Sequence, residues 1–245
     1  EEFARLAEER SLAAESIEAV SSVFEYLRDK KEQSTIQMLL RTSRLPQKQV
    51  KTFDNFDFDV LKGKDIDKLK NLQTLAPIYA HKNIAFIGPP GTGKTHLAQA
   101  FGYECCRHRM KTYFIKAAEL RDKFTIARRA GREGALLTSL VRPSCLIIDE
   151  VGHCEFDKAN TRLFFDMVDR RYNKEGAFNM IFTSNKNPSD WREIFGENDA
   201  LLCSLDRLFD SASVFTFRGE SFRGKHLENY TLRAEHSAST TRTIH

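Results

Sequence analysis

The 245-residue sequence predicts an α/β protein in which helices alternate with the strands of a parallel sheet. Three observations support this class. Five short β-rich runs lie between residues 83 and 217, and helical stretches separate them. The first run leads directly into a glycine-rich loop, and the third ends in two carboxylates. Because parallel strands bring their carboxyl ends to one edge of a sheet, we expect the loop and the carboxylates to share a ligand site.

The loop after the first run (83–87) is a complete G-x-x-x-x-G-K-[ST] phosphate-binding motif. Its residues are Gly88, Pro89, Pro90, Gly91, Thr92, Gly93, Lys94 and Thr95, and the next helix continues through His96. Glycines let backbone N–H groups point into the loop, and the helix adds the positive end of its dipole. We expect Lys94 to contact the β- and γ-phosphates and the Thr95 hydroxyl to bind Mg²⁺. A glycine-rich turn with a surface lysine is the alternative, and the flanking strand and helix argue against it.

The third run (145–150) is an apolar strand that ends in Asp149 and Glu150. At the ligand edge of the sheet, Asp149 is predicted to hold Mg²⁺ through its water shell. Glu150 is predicted to orient, or take a proton from, the water that attacks the γ-phosphate. Asn185 follows the fourth run (179–183), where its amide would hold that water or the γ-phosphate. Two acids could instead cap an edge strand, but a complete phosphate loop favours catalysis.

Composition gives weaker constraints. The net charge is +4, and no run of 18 apolar residues suggests a membrane span or a membrane partner. Five cysteines form no C-x-x-C pair, so we expect reduced thiols in a cytoplasmic protein. Cys105, Cys106 and His108 would point in different directions on a helix, which argues against a zinc site.

The charge pattern predicts three regions. A helical N-terminal region (1–50) is acidic up to residue 27 and basic from 28 to 51. It is interpreted either as a solvated linker or as a surface that docks a partner or DNA, and its opening residues are typical of a truncated domain. The helical pattern breaks at 44–47, before Pro46. Residues 51–236 form the main domain, and 237–245 are predicted to be a disordered tail.

Two further segments are candidate ligand contacts. Residues 52–59 alternate aromatic and polar side chains ahead of a helix predicted near 66–80. Phe53 and Phe56 could contact a nucleotide base, although such a pattern is also typical of a packed strand. Two helices at 117–142, split by Gly131, carry an excess of basic residues that would suit a DNA backbone or form an ordinary charged face. The candidate DNA contacts are Arg121, Lys123, Arg128, Arg129 and Arg132.

In its motifs the chain resembles the IstB/DnaC-like AAA+ ATPases, and IstB transposition helpers most of all. The resemblance rests on residues 51–58, 88–95, 146–150, 169–172, 183–185, 206–208 and 219–223. It implies a P-loop NTPase (AAA+) fold with a parallel five-stranded sheet in the order 5-1-4-3-2. It also implies ATP and Mg²⁺ as cofactors, and a homo-oligomer with ATP sites between subunits. The implied partners are duplex DNA and an IstA-like transposase.

The resemblance also implies roles for single residues. Asn185 would be sensor 1, Arg223 would be sensor 2 against the nucleotide phosphates, and Arg207 would be an arginine finger for the neighbouring subunit's ATP. An intramolecular pair of Arg207 with Asp206 or Asp210 is the alternative for that residue. Two other functions stay open: a DnaC-like replicative helicase loader, and a DNA-binding scaffold that holds ATP without hydrolysing it. Glu150 argues against the scaffold, since a pure binder needs no such carboxylate.

Overall fold

The computed structural model describes residues 2–195, 205, 207–210 and 212–219. Several predictions lie outside these residues: the sensor 2 candidate Arg223, Asp206, Cys203, most of a helix expected at 200–209, a helix expected near 226–233, and the tail 237–245. Within the described residues, five strands form one parallel sheet. They are β1 (Ile84–Ile87), β2 (Thr112–Lys116), β3 (Cys145–Val151), β4 (Asn179–Ser184) and β5 (Ser213–Thr216).

The strand order is β2-β3-β4-β1-β5, which confirms the predicted order 5-1-4-3-2. All four residues of β1 are buried, as are all six of β4, because these strands lie inside the sheet with helices on both faces. Each β-rich run predicted the ends of its strand to within one residue, which is closer than sequence patterns usually give for the ends of an element. The sheet therefore brings the ends of β1, β3 and β4 side by side.

Helices connect the strands and cover the sheet. They are α5 (Lys94–Arg107), α6 (Ala117–Arg129), α7 (Glu133–Val141), α8 (Lys158–Tyr172) and the short α9 (Trp191–Phe195), which a 3₁₀ turn (Pro188–Asp190) precedes. The predicted break at Gly131 is confirmed: this residue has a φ of +62° and separates α6 from α7. Two apolar clusters form the core. One contains Phe124, Phe164 and Trp191, and the other contains Phe86, Phe101 and Leu97.

The segment between the N-terminal helices and β1 differs from the prediction. Residues 52–59 form bends rather than a strand, and a 3₁₀ turn covers Phe58–Val60. The single helix expected near 66–80 is three short pieces: α3 (Ile66–Lys70), a 3₁₀ turn (Asn71–Thr74) and α4 (Ala76–Tyr79). Leu75 adopts a left-handed conformation with φ +58°, and Pro77 cannot donate to the preceding turn, so a continuous helix is interrupted there.

Two helices open the chain, α1 (Glu2–Glu9) and α2 (Ala14–Thr42). The last turn of α2 packs into the main core, where Leu39, Leu40 and Leu45 are buried in the same cluster as Phe101. Upstream the apolar stripe stays exposed, with Phe24 57% and Leu27 52% accessible. An ion pair at 3.0 Å between Glu32 and Arg109 links α2 to the turn before β2. The helix therefore leaves the domain with its first half projecting into solvent.

Candidate active site

The phosphate loop joins β1 to α5, and its glycines are required where other groups approach its backbone. A Cβ on Gly88 would lie 2.4 Å from the carbonyl oxygen of Phe217, and a Cβ on Gly93 would lie 2.7 Å from the Phe56 ring. Both residues also have positive φ, +144° and +89°, which disfavours a side chain. The loop is thus held between the end of β5 on one side and the 52–58 segment on the other.

Lys94 opens α5 and lies across the loop. Its side chain is 9% exposed, and Nζ donates to the carbonyl oxygens of Gly88 at 2.7 Å and of Pro89. The Thr92 hydroxyl also donates to the Pro89 carbonyl, at 2.9 Å. These acceptors belong to the loop itself. A phosphate oxygen could therefore replace a carbonyl as the partner of Nζ without any change in the surrounding fold.

Asp149 connects three elements at the ligand edge. Its Oδ1 accepts hydrogen bonds from the Thr95 hydroxyl at 2.8 Å and from the Thr183 hydroxyl at 2.5 Å. Burial raises the pKa of the Asp149 carboxyl, while the bonds from Thr183 and Thr95 oppose that rise. Oxygen atoms of a hydroxyl and a carboxylate suit Mg²⁺, which typically keeps several waters and takes few protein ligands. The residues present fit this ion.

Glu150 follows Asp149 in a strained conformation. It has φ +60°, in the left-handed region, at an irregularity in the pairing of β3 with β4 between Ile148 and Val151. Its backbone N–H donates to the Thr183 hydroxyl at 2.9 Å. Its carboxylate lies 2.9 Å from the Nζ of Lys116, the last residue of β2. Glu150, the predicted base, thus follows Asp149, the predicted Mg²⁺ ligand, and its carboxylate is paired with a lysine of the adjacent strand.

Asn185 is exposed and directly follows β4. The residue before it, Ser184, accepts a hydrogen bond through its carbonyl from the Gly88 N–H at 3.1 Å. Asn185 is therefore one residue away from a contact with the first residue of the phosphate loop. The sheet brings Lys94, Thr95, Asp149, Glu150 and Asn185 to a single edge.

This constellation agrees with sequence comparison. A family model of IstB-like ATP binding proteins matches residues 1–229. The chain belongs to this family. The ATP-binding protein of insertion sequence IS5376 from Geobacillus stearothermophilus is 40% identical over 196 residues, which are 79% of this chain and 75% of that protein. Its counterpart in IS232 from Bacillus thuringiensis subsp. berliner is 32% identical over 209 residues, 85% of this chain and 82% of that protein.

Solved structures similar to this IstB-like chain include AMPPCP-bound DnaA from Aquifex aeolicus, with a TM-score of 0.56 and 20% identity. That likeness covers 71% of this chain and 51% of the DnaA chain. The DnaC helicase loader gives a TM-score of 0.53 at 18% identity, over 68% of this chain and 98% of that one. At these identities the likeness shows the fold alone, and it confirms the predicted P-loop AAA+ class.

The two phenylalanines predicted near the base are buried, and Phe56 lies against the phosphate loop of this IstB-like domain. Phe53 is 7% and Phe56 9% exposed, and the Phe56 ring meets the His96 ring edge-on at 5.0 Å. His96 also forms a hydrogen bond at 3.0 Å between Nε2 and the Thr52 carbonyl oxygen. Burial lowers the pKa of His96. The 52–56 segment therefore packs against the loop and the start of α5, a contact that the sequence pattern did not predict.

Arg207 is exposed in a helical stretch, and its Nη1 donates to Oδ1 of Asp169 in α8 at 2.8 Å. From the sequence, the alternative partners expected for Arg207 were Asp206 and Asp210, and Asp169 was not predicted. Lys116 and Thr183 were also not predicted. The order of β2, β3 and β4 could have indicated both residues. Lys116 is the last residue of β2, Thr183 is the last but one of β4, and both strands lie next to β3, which carries Asp149.

The candidate DNA contacts are mostly paired with acids. Arg121 bonds to Asp122 at 2.8 Å, Lys123 lies 3.9 Å from Glu119, and Arg128 lies 3.2 Å from Asp157. Arg129 and Arg132 are exposed. Acid partners reduce the positive charge that this surface offers to a phosphate backbone, so the structure leaves Arg129 and Arg132 as the stronger candidates.

Among the described residues, no group of three or more His, Cys, Asp or Glu side chains could hold a metal ion. None of the helices in this part of the chain has the length and apolarity to cross a membrane. Cys105 and Cys106 are buried, and burial raises the pKa of both thiols, that of Cys106 to about 11. Such thiols are poor metal ligands and poor nucleophiles.

Proposed function

We propose that this chain is an ATP hydrolase that uses Mg²⁺, assembles on duplex DNA and assists an IstA-like transposase in target selection and strand transfer. One observation carries the hydrolytic part: the Thr95 hydroxyl and the Asp149 carboxylate are joined at 2.8 Å, and Glu150 is the next residue. A purely structural nucleotide site needs the first two groups only. A carboxylate beside them is what attack by water requires.

The residues of the chain would divide the reaction as follows. The loop N–H groups and Lys94 bind the phosphates. Thr95 and Asp149 would hold Mg²⁺, and this ion would supply positive charge to the phosphate oxygens. Glu150 orients the attacking water and takes its proton, and Asn185 fixes the position of that water. For Glu150 to act as a base, its carboxylate must exchange the ion pair with Lys116 for a hydrogen bond to water.

Assembly and partners are supported by relationship and by charge. The relatives are named as ATP-binding proteins of insertion sequences, which favours a role in transposition. Arg207 is exposed, as an arginine finger that acts on a neighbouring subunit must be. Phe53, Phe56 and Arg223 stay proposed nucleotide contacts, and the five basic residues at 121–132 stay proposed DNA contacts. We also propose a partner-docking region at 1–50, an ATPase domain at 51–236 and a cytoplasmic location.

The decisive experiment measures ATPase rate without DNA, with duplex DNA and with single-stranded DNA, for the wild type and for Glu150→Gln. We expect duplex DNA to stimulate the wild type. Glu150→Gln should bind ATP normally and lose roughly 10²- to 10⁴-fold in kcat, the usual contribution of a general base. Glu155→Gln is the matched control, since this exposed glutamate lies five residues along the chain.

The outcomes separate the functions. Hydrolysis by Glu150→Gln at the wild-type rate removes Glu150 from the mechanism. Stimulation by single-stranded DNA alone favours a helicase loader over a transposition helper. ATP binding with no turnover under any condition favours the scaffold.

A further inference from the structure

The contact between Arg207 and Asp169 is an ion pair between two side chains on well-anchored supports. The distance from Nη1 to Oδ1 is 2.8 Å, and the side chains are 49% and 39% exposed. The neighbours of Arg207, Leu205 and Leu208, are buried in the same apolar cluster as Val168, which precedes Asp169. The backbones of both partners are therefore fixed by the core, while the charged groups themselves lie at the surface.

The helical turn that carries Asp169 is tied to neighbouring elements by hydrogen bonds. Two residues along α8, Arg171 is fully buried and donates to five backbone carbonyls, those of Leu140, Val141, Pro143, Ser144 and Asn179. This arrangement joins the last turn of α8 to α7, to the turn before β3 and to the start of β4. A carboxylate on such a turn defines a position in space closely, and side chains that orient other functional groups need that property.

We propose that Asp169 is a positioning residue for Arg207, whose guanidinium it orients toward the ATP site of an adjoining copy of this chain. This inference rests on the proposed function, in which Arg207 acts between subunits. A guanidinium carries five N–H donors in a planar fork, so one edge can bind a carboxylate while another meets phosphate oxygens. The carboxylate thereby limits the rotamers of a long side chain that would otherwise lose entropy when it meets its target.

The opposite role, in which Asp169 withholds Arg207 from the neighbour, is not favoured by the exposure of the pair. An ion pair in which both groups are about half exposed is weakly held, because water screens it. A triphosphate with its several charges would compete successfully for the arginine. The pair can therefore bias orientation without blocking the contact.

The test compares Asp169→Ala, Asp169→Glu and Asp166→Asn with the wild type as full-length assemblies on duplex DNA. Asp166 is the matched control: it lies on the same helix, is also 39% exposed, and pairs with Arg170 rather than Arg207. We expect Asp169→Ala to lose about tenfold in kcat with a KM for ATP changed less than about twofold, since misplacement of a catalytic group affects the transition state. Asp169→Glu should recover part of the loss, and Asp166→Asn should match the wild type.

Mixed assemblies distinguish positioning from damage to the fold. Lys94→Ala subunits are expected to lack ATP binding but carry an intact Asp169–Arg207 pair. Mixed with Asp169→Ala subunits, they should supply that pair to the ATP sites of the latter. Activity of the mixture should then exceed the sum of the two separate preparations. Defective folding of Asp169→Ala would give no such recovery, and its melting temperature would fall.

Failure of this inference can be told apart from failure of the proposed function. If Arg207→Ala abolishes turnover while Asp169→Ala has unchanged or higher kcat, the positioning role is overturned and the intersubunit arginine stands. If Arg207→Ala itself has the wild-type kcat, the positioning role of Asp169 and the proposed action of Arg207 between subunits are both overturned. Loss of activity in Asp169→Ala without recovery in mixtures also overturns the positioning role.

Discussion

The two ends of the central sheet each contain a buried cation bonded to backbone carbonyls, but they use it differently. At the carboxyl ends of the strands, Lys94 is 9% exposed and donates to carbonyls of its own loop. At the amino ends, Arg171 is fully buried and donates to five carbonyls from α7, from the turn between α7 and β3, and from the start of β4. The carbonyls to which Lys94 donates belong to the phosphate loop, whereas those that Arg171 binds come from several elements.

The difference shows how one fold separates stability from ligand binding. Burial lowers the pKa of Arg171 to about 10, yet a guanidinium stays charged at neutral pH, so Arg171 keeps the N–H donors of its two Nη atoms for these carbonyls. Two of these carbonyls, from Leu140 and Val141, belong to the last turn of α7, where a cation also meets the negative end of the helix dipole. The bonds of Lys94 can instead be exchanged for those with a ligand. We therefore expect substitutions at the two sites to have opposite consequences.

The largest effect is expected at Arg171. Arg171→Met keeps much of the side-chain volume but leaves five carbonyls, most of them buried, without this donor. We expect the free energy of unfolding to fall by about 3 to 5 kcal/mol, as when one partner of a buried charged contact is removed. Urea denaturation followed by circular dichroism measures this change, with Arg170→Met, an exposed neighbour on α8, as control.

At low temperature the folded fraction of Arg171→Met should still bind ATP. An unchanged unfolding midpoint in this variant would show that the five hydrogen bonds of Arg171 do not stabilise the fold. The contrast with Lys94 would then disappear.

The next effect is expected at Lys94. Lys94→Ala should lower ATP affinity by at least about 100-fold, or roughly 2.7 kcal/mol, because the phosphates lose their main cation. Its melting temperature in the absence of nucleotide should stay within about 2 °C of the wild type, since a change below 1 kcal/mol shifts a domain of this size only slightly. Titration with a fluorescent ATP analogue and a thermal melt provide the two measurements.

Lys82→Ala is the control for Lys94, because Lys82 is exposed just before β1. Unchanged ATP affinity in Lys94→Ala would remove the phosphate-loop assignment. A large fall in melting temperature would instead make Lys94 a structural cation like Arg171.

The same contrast explains what the sequence could predict. Strand positions and the loop were predictable because they depend on short patterns: apolar runs, the glycines, and the carboxylates that end β3. The partners of those residues could not be predicted from short patterns, because they depend on the order and register of the strands. Lys116 lies beside Asp149 in the pairing of β2 with β3, although 33 residues separate them in the chain. The strand order came from the family resemblance, and no local pattern in the sequence specifies that register.

Residues whose role depends on burial also could not be predicted from a local sequence pattern. Arg171 stands in the sequence beside Arg170, and the two are chemically identical. One is fully buried, while the other forms a surface pair with Asp166. The helix period could have separated them only if the direction of the core had been known. The ring of Phe56 and the carboxylate of Asp169 likewise acquire their roles from tertiary contacts.

The smallest effect is expected at Lys174, which donates to carbonyls of the same turn that Arg171 contacts. Its Nζ donates to the carbonyls of Arg142 at 3.1 Å and Pro143 at 2.9 Å. Burial, and next the charge of Arg171, lower the pKa of Lys174 from 10.5 to about 8. Between these two values the unfolded chain binds more protons at this residue than the folded chain does. The free energy of unfolding should therefore rise with pH across this window, and below it the group adds no slope.

Lys174→Met should remove this contribution. We expect the urea midpoint of the wild type to increase between pH 8 and pH 10 relative to that of Lys174→Met, while Lys158→Met, at the exposed start of α8, keeps the wild-type slope. Equal slopes in the wild type and Lys174→Met would mean that Lys174 is solvated in solution. In that case Arg171 alone would hold the amino ends of the strands, and the contrast with the exchangeable bonds of Lys94 would rest on a single residue.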